Sequence, residues 1–189
     1  MKVDCLIVGS GLAGLCFGET LVQKGRGFAV ISDDSQSASE VAGGLYNPLI
    51  LKRFTLAFQA AAQLDYAMPF YEKVEQRLGQ QFDYKQEVVR ILNEPAEQNR
   101  WFEARDRKGY ERFMDETLLQ NPTPQINAPH KLARVLETGR LDTAAFRAAY
   151  RQWLEEQGLF IQEPFEYDRL EITPDALRYR AIEASHIVF

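Results

Sequence analysis

The chain opens with an apolar run from Val3 to Val8, broken only by Asp4, that ends in Gly9-Ser10-Gly11-Leu12-Ala13-Gly14. Leu15 to Lys24 then follows helical spacing. Gly25-Arg26-Gly27 leads into a second apolar run, Phe28 to Ile31, which stops at Ser32-Asp33-Asp34. Short apolar runs bounded by glycines and acids predict buried strands, so this stretch reads as strand, helix, strand.

Further along, Leu56, Ala60, Leu64, Ala67 and Tyr71 recur at helix spacing between Phe54 and Leu78. Pro69 predicts a break or kink that leaves two shorter helices, and Gly79 a stop. Phe82 to Leu92 reads as a strand, with Val88, Val89 and Ile91 supplying β-branched residues. Pro95 to Lys108 reads as a polar helix with a solvated, mixed-charge face, and Glu111 to Leu119 as a second short helix. The prolines from Pro122 to Pro129 specify a loop.

Lys131 to Glu137 reads as a strand and Thr138-Gly139-Arg140 as a turn. Asp142 is placed to cap a helix whose apolar face is Ala145, Phe146, Ala149, Tyr150, Trp153 and Leu154, and Gly158 ends it. Leu159 to Glu163 and Phe165 to Thr173 are strand-like, and a turn at Thr173-Pro174-Asp175-Ala176 sends Leu177 to Ile182 back as a hairpin. Glu183 to Phe189 reads as the next parallel strand of the first sheet. No repeat or low-complexity segment interrupts this order.

The chain's 189 residues allow one domain, or one domain with a small insertion, and 46% hydrophobic content suffices for a core. The net charge of -5 and the lack of a basic stripe argue against a nucleic-acid surface. Cys5 and Cys16 fall in the first strand and helix, where buried free thiols are expected, as in a reducing compartment. Asp4 and Glu19 interrupt what would otherwise resemble a secretory leader, and no run is apolar enough to span a bilayer. The expectation is a soluble cytoplasmic protein. His130 and His186 have no partner at metal spacing, and no Ser/His/Asp arrangement or Gly-x-Ser-x-Gly elbow is present.

The chemistry lies in the glycines. Gly9 permits a tight turn off the strand, Gly11 lets a pyrophosphate approach the backbone, and Gly14 lets helix and strand pack closely. The first N–H groups of the helix lack internal partners and carry partial positive charge, so a dinucleotide diphosphate, flanked by Leu12 and Ala13, would supply the acceptors. An acid about 20 residues on is expected at the ribose hydroxyls. Asp33 is the candidate, with Asp34 second. The plain alternative is a β–α turn that binds nothing, followed by acids that only cap or solvate a turn. Ser35 to Leu49 is rich in small residues yet keeps Val41, Leu45 and Leu49, a composition suited to folding beneath a cofactor rather than to a flexible linker.

Strand, Gly-x-Gly-x-x-Gly, helix, strand and acid, followed by Ser39-Glu40-Val41-Ala42-Gly43-Gly44-Leu45-Tyr46-Asn47-Pro48, resembles the N-terminal half of FAD-dependent oxidoreductases of the D-amino acid oxidase and glycine oxidase family. The same run is similar to the flavin domain of the bifunctional tRNA enzyme that makes 5-methylaminomethyl-2-thiouridine. The resemblance implies an α/β fold: a doubly wound, Rossmann-like FAD-binding domain with an inserted, partial α+β substrate domain. Residues 1–80 and 138–189 would form the two parts of the FAD-binding domain, and 81–137 the inserted part. It also implies FAD contacts from Ser39, Gly43, Gly44 and Leu45, with Asn47 near the flavin ring, and adenine bound by the backbone of Phe165 or Glu166. The family's usual Glu is Ser32 here, so Asp33 takes the ribose role one residue late. Gly18 stands where many members carry Ala.

The implied activity is oxidation of a small-molecule amine or amino acid by hydride transfer to FAD. The family's substrate-gripping Arg and Tyr generally lie in its second half, so the resemblance assigns no catalytic residue here. Arg53, Arg90 and Arg134 read as surface or structural. The final strand, which in the family runs on into small residues beside the flavin, carries the expectation that this chain is the truncated first half of a longer flavoprotein. An NAD(P)-dependent dehydrogenase sharing only the βαβ unit is the alternative, though such enzymes lack the second pass at Gly43-Gly44. A non-catalytic dinucleotide-binding fragment is the other.

Overall fold

A computed structural model describes residues 1–33, 35, 38–174 and 176–189, the Glu40 side chain excepted. The elements begin with β1 (Lys2–Val8), α1 (Leu12–Gln23), β2 (Phe28–Ile31), α2 (Ala38–Val41), β3 (Leu45–Tyr46), β4 (Leu49–Ile50) and β5 (Thr55–Leu56). Next come α3 (Ala60–Leu78), β6 (Asp83–Lys85), β7 (Val88–Ile91), α4 (Pro95–Arg105), β8 (Met114–Leu119), β9 (Leu132–Val135) and β10 (Gly139–Leu141). The chain continues with α5 (Thr143–Glu156), β11 (Phe160–Ile161), a 3-10 turn at Tyr167–Arg169, β12 (Leu170–Ile172), β13 (Leu177–Tyr179) and β14 (Ile182–Val188). Two compact units form. One comprises Met1–Ala42, Gln76–Gln80 and Asp142–Phe189, and the other Gly43–Glu75 and Gln81–Leu141.

The first unit is built on a six-stranded sheet in the order β11-β2-β1-β14-β13-β12. β11, β2, β1 and β14 run parallel, and β13 and β12 continue as antiparallel strands. The order reverses at β1: its neighbour on one side follows next in the chain, and its neighbour on the other comes last. Ligands of open α/β sheets bind beyond the carboxyl ends of the strands at such a switch point. Leu6, Ala29, Ile31, Tyr179, Ile182 and Ala184 form one core cluster of this unit. α1 packs closely on the sheet because Gly18 has no side chain. A Cβ there would stand 2.9 Å from Cε2 of Phe28, so the phenylalanine ring fills the space an alanine would take. α5 buries Phe146, Tyr150 and Leu154, and its N-cap Asp142 accepts a 3.1 Å bond from the Ala145 N–H, as its apolar spacing and cap predict.

The second unit contains the antiparallel sheets β3-β10-β6 and β7-β9-β8 and the pair β4-β5. One core cluster there is Leu49, Phe54, Leu92, Trp101, Ala104, Met114, Ala133 and Val135, with Phe54 and Trp101 meeting edge to face.

Several local expectations yield to tertiary pairing. Residues 114–119 form β8, not a helix, because they pair with β9 and seat Met114 in the core, which outweighs the helical preference of Met, Glu and Leu. Thr138-Gly139-Arg140 is not a turn: Gly139 begins β10, the central strand between β3 and β6. A Cβ on Gly139 would lie 2.2 Å from the Tyr46 hydroxyl, so this glycine marks a close approach. Phe82 to Leu92 divides into β6 and β7, which join different sheets. α3 runs unbroken through Pro69, whose ring is exposed. Phe165 to Thr173 forms the 3-10 turn before its strand begins at Leu170.

Candidate functional site

The glycine turn joins β1 to α1 at the carboxyl edge of the sheet. The Gly9 N–H donates to the Ile31 carbonyl at 2.8 Å, and Gly9 adopts a φ of +104°, which favours glycine. A Cβ on Gly14 would stand 2.5 Å from the Gly9 carbonyl oxygen, so only glycine allows α1 to start this close to the strand. Gly11 is the N-cap of α1. It supplies no side-chain cap, and the first turn contains no acid to neutralise the positive end of the helix. The nearest atom to a Cβ built on Gly11 is the Ser39 hydroxyl oxygen, at 3.8 Å. The same hydroxyl accepts a 3.1 Å bond from the Leu12 N–H, one of the donors a helix leaves unpaired. Ala13 is exposed beside them. The cradle therefore has what a diphosphate needs: space above a side-chain-free backbone and a helix terminus with no acid in its first turn.

Asp33 follows β2 and is exposed. Its carboxylate accepts from the Ser35 hydroxyl at 2.7 Å and from the Ser35 N–H at 3.0 Å. Those two bonds hold it below the usual carboxylate range. Asp34 lies outside the described residues. Phe165 stacks on Tyr179 with ring centroids 4.5 Å apart, and the Glu166 N–H donates to the Tyr179 hydroxyl at 3.1 Å.

The remaining candidates belong to the second unit. Gly44 has a φ of +67°, and a Cβ on it would meet the Leu141 carbonyl oxygen at 1.9 Å. The Leu141 N–H donates to the Gly44 carbonyl at 3.0 Å, so this glycine serves β10 directly. Gly43 has open space around it, Leu45 is exposed on β3, and Asn47 accepts from the Leu49 N–H at 3.0 Å in a tight turn.

Three residues around the cradle carry no motif signal. The Ser10 hydroxyl donates to the Ser32 hydroxyl at 3.0 Å, tying the turn to the end of β2. Arg147 of α5 donates from Nε to the Ser10 carbonyl at 3.1 Å. Ser10, Ala144, Arg147, Ala148, Arg151, Gln152 and Glu155 line a groove of about 330 Å³ beside the turn. The spacing of Arg147 along α5 marks only a polar face.

The other singled-out residues have structural surroundings. Arg90 pairs with Glu97 at 3.0 Å. Arg134 pairs with Asp115 through Nε at 2.7 Å. Arg53 is exposed and shares a surface groove with Glu97, Arg100 and Arg107. Cys5 is buried, whereas Cys16 is half-buried and His186 exposed. No helix among the described residues is long and apolar enough to cross a membrane.

The family model of FAD-dependent oxidoreductases matches residues 4–184. The chain belongs to this family. Its fold is the FAD-dependent oxidoreductase's Rossmann-like nucleotide-binding domain, and solved structures share it. An L-amino acid deaminase from Proteus vulgaris superposes with a TM-score of 0.69 at 14% identity, over 98% of this chain and 46% of that one. Glycine oxidase from Bacillus cereus gives a TM-score of 0.67 at 18% identity, covering 93% of this chain and 51% of its own. Glycine oxidase from Geobacillus kaustophilus gives 0.69 at 14% identity, covering 98% and 54%. The chain thus spans about half the length of the structures it matches.

Proposed function

We propose that this chain holds FAD at the turn between β1 and α1, and that the activity it serves is oxidation of an amine or amino acid. The observation that carries the reading is the α1 terminus: it stands at the sheet's switch point with a glycine N-cap that offers no side chain, no acid in its first turn, and the neutral Ser39 hydroxyl on its Leu12 N–H. Gly9, Gly11, Leu12, Ala13 and Gly14 surround the diphosphate, and Asp33 takes the ribose hydroxyls, with Asp34 as second choice. Ser39 supports the first N–H of the helix. Gly43, Gly44 and Leu45 follow the diphosphate and ribityl chain, and Asn47 stands near the ring. Phe165 suits adenine better than Glu166, whose N–H already serves Tyr179.

FAD, when bound, accepts a hydride from the substrate, while the protein orients the reactants and excludes water. Family membership favours flavin over a nicotinamide cofactor. The substrate class is supported by the names of the similar structures, an amino acid deaminase and two glycine oxidases. On this reading residues 1–80 and 138–189 are the two parts of the FAD-binding domain and 81–137 part of a substrate domain. A cytoplasmic location fits the two free cysteines.

The test is to purify the chain with FAD, desalt it and record its visible spectrum beside that of Gly11→Val. Retained flavin colour in the parent and none in the variant is the expected result. A colourless parent that instead binds NADH overturns the flavin reading in favour of the nicotinamide one, and a parent that binds neither overturns both.

A further inference from the structure

We infer that Arg147 is a positioning residue for the diphosphate cradle, an inference that rests on the FAD reading above. Ser10 lies between the first two glycines of the motif, and glycines leave the backbone freest to rotate. The peptide joining Ser10 to Gly11 is trans, so its carbonyl and N–H point in opposite directions within one plane. Arg147 Nε holds that carbonyl at 3.1 Å. The Gly11 N–H is thereby turned away from the guanidinium and fixed in orientation.

Further contacts make this hold firm. Ser10 is 4% exposed, and its hydroxyl is tied to Ser32 at 3.0 Å, so the residue is gripped by side chain and by backbone. α5, which carries Arg147, starts at its Asp142 cap and is tied to Ala42 by the Thr143 hydroxyl, which donates to that carbonyl at 3.4 Å. A charged donor makes a stronger bond than a neutral one, and the guanidinium adds a positive charge next to the turn. Arg147 therefore sets the backbone donor that a diphosphate would use.

The test is titration calorimetry of the parent chain, Arg147→Gln and Arg147→Lys with FAD, ADP and adenosine, the fold of each variant being checked by circular dichroism. In Arg147→Gln, affinity for FAD and ADP is expected to fall about tenfold, with adenosine unchanged within about twofold. Arg147→Lys, which keeps a charged donor, recovers most of the lost ADP affinity. If all three ligands weaken together, or none does while the parent binds FAD, the positioning role is overturned and the flavin reading stands. A parent that binds neither FAD nor ADP overturns the flavin reading and this inference with it.

Discussion

The carboxylate of Glu19, fully buried on α1, is gripped by Arg77 Nε at 3.1 Å from the end of α3. Tyr150 of α5 donates its hydroxyl to the same carboxylate at 3.2 Å, and Gln23 adds a 3.0 Å bond. Burial, then the Glu19 charge, push the Tyr150 phenol above its ordinary range, so it remains a donor. A buried charge with one partner removed is costly. Arg77→Ala is expected to destabilise the chain by about 2–4 kcal/mol, toward the low end because Arg77 is partly exposed. Tyr150→Phe should cost about 1 kcal/mol. Urea unfolding of both variants checks this, and an Arg77→Ala variant as stable as the parent would show that the pair carries no net weight.

The motif glycines separate by what a Cβ would meet. A Cβ on Gly11 would make only an ordinary contact, with the Ser39 hydroxyl at 3.8 Å, and φ is an ordinary -69°, so Gly11→Ala should melt within a few degrees of the parent. Gly14→Ala drives a Cβ into the Gly9 carbonyl and should lose both stability and FAD. Equal melting temperatures for the two variants would contradict the packing argument.

Gly44 differs again. Its positive φ and the Leu141 carbonyl at 1.9 Å from a built Cβ predict that Gly44→Ala disrupts the pairing of β3 with β10 whether or not FAD is present. Hydrogen exchange at the Leu141 amide, bonded to the Gly44 carbonyl, reads this out. Unchanged protection at that amide would refute the structural role.

Ser39→Ala removes the acceptor that serves the Leu12 N–H. The ligand-free chain should lose about 1 kcal/mol. In FAD the loss should shrink, because the diphosphate offers the same N–H an acceptor. Thermal melts with and without FAD compare the two, and an equal loss in both would mean that the cofactor does not reach this N–H.

Acid should weaken the second unit through Asp115. Burial alone would raise its carboxyl, but the Thr117 N–H and the Arg134 guanidinium outweigh it and hold it below the usual range. A carboxylate depressed in the folded state adds stability above its unfolded value of about 3.9, and that stability is lost as pH falls through the lower folded value. Asp115→Asn should therefore destabilise at neutral pH and show a shallower loss in acid. Parallel stability curves for parent and variant would exclude this linkage.

The cradle was legible because its signals are local. β1, the glycine turn, α1 and β2 occupy Lys2 to Ile31 without interruption, and two of the glycines answer to contacts made within that stretch: Gly14 with Gly9, Gly18 with Phe28. The α5 cap and the parallel placement of β14 were equally readable from spacing. β8 was not, since Met114 to Leu119 has helix-forming residues and becomes a strand only beside β9. Gly139 resembled a turn residue until Tyr46 was seen above it.

By itself the sequence determined the βαβ unit, its glycine geometry and the family, because periodicity and missing side chains act over a few neighbouring residues. Only the tertiary structure decided that Arg147 holds the Ser10 carbonyl from 137 residues away and that Arg77 neutralises Glu19 from 58 residues away. Such pairs depend on where distant helices pack, and a single charged residue on a helical face carries no local sign of the partner it will meet.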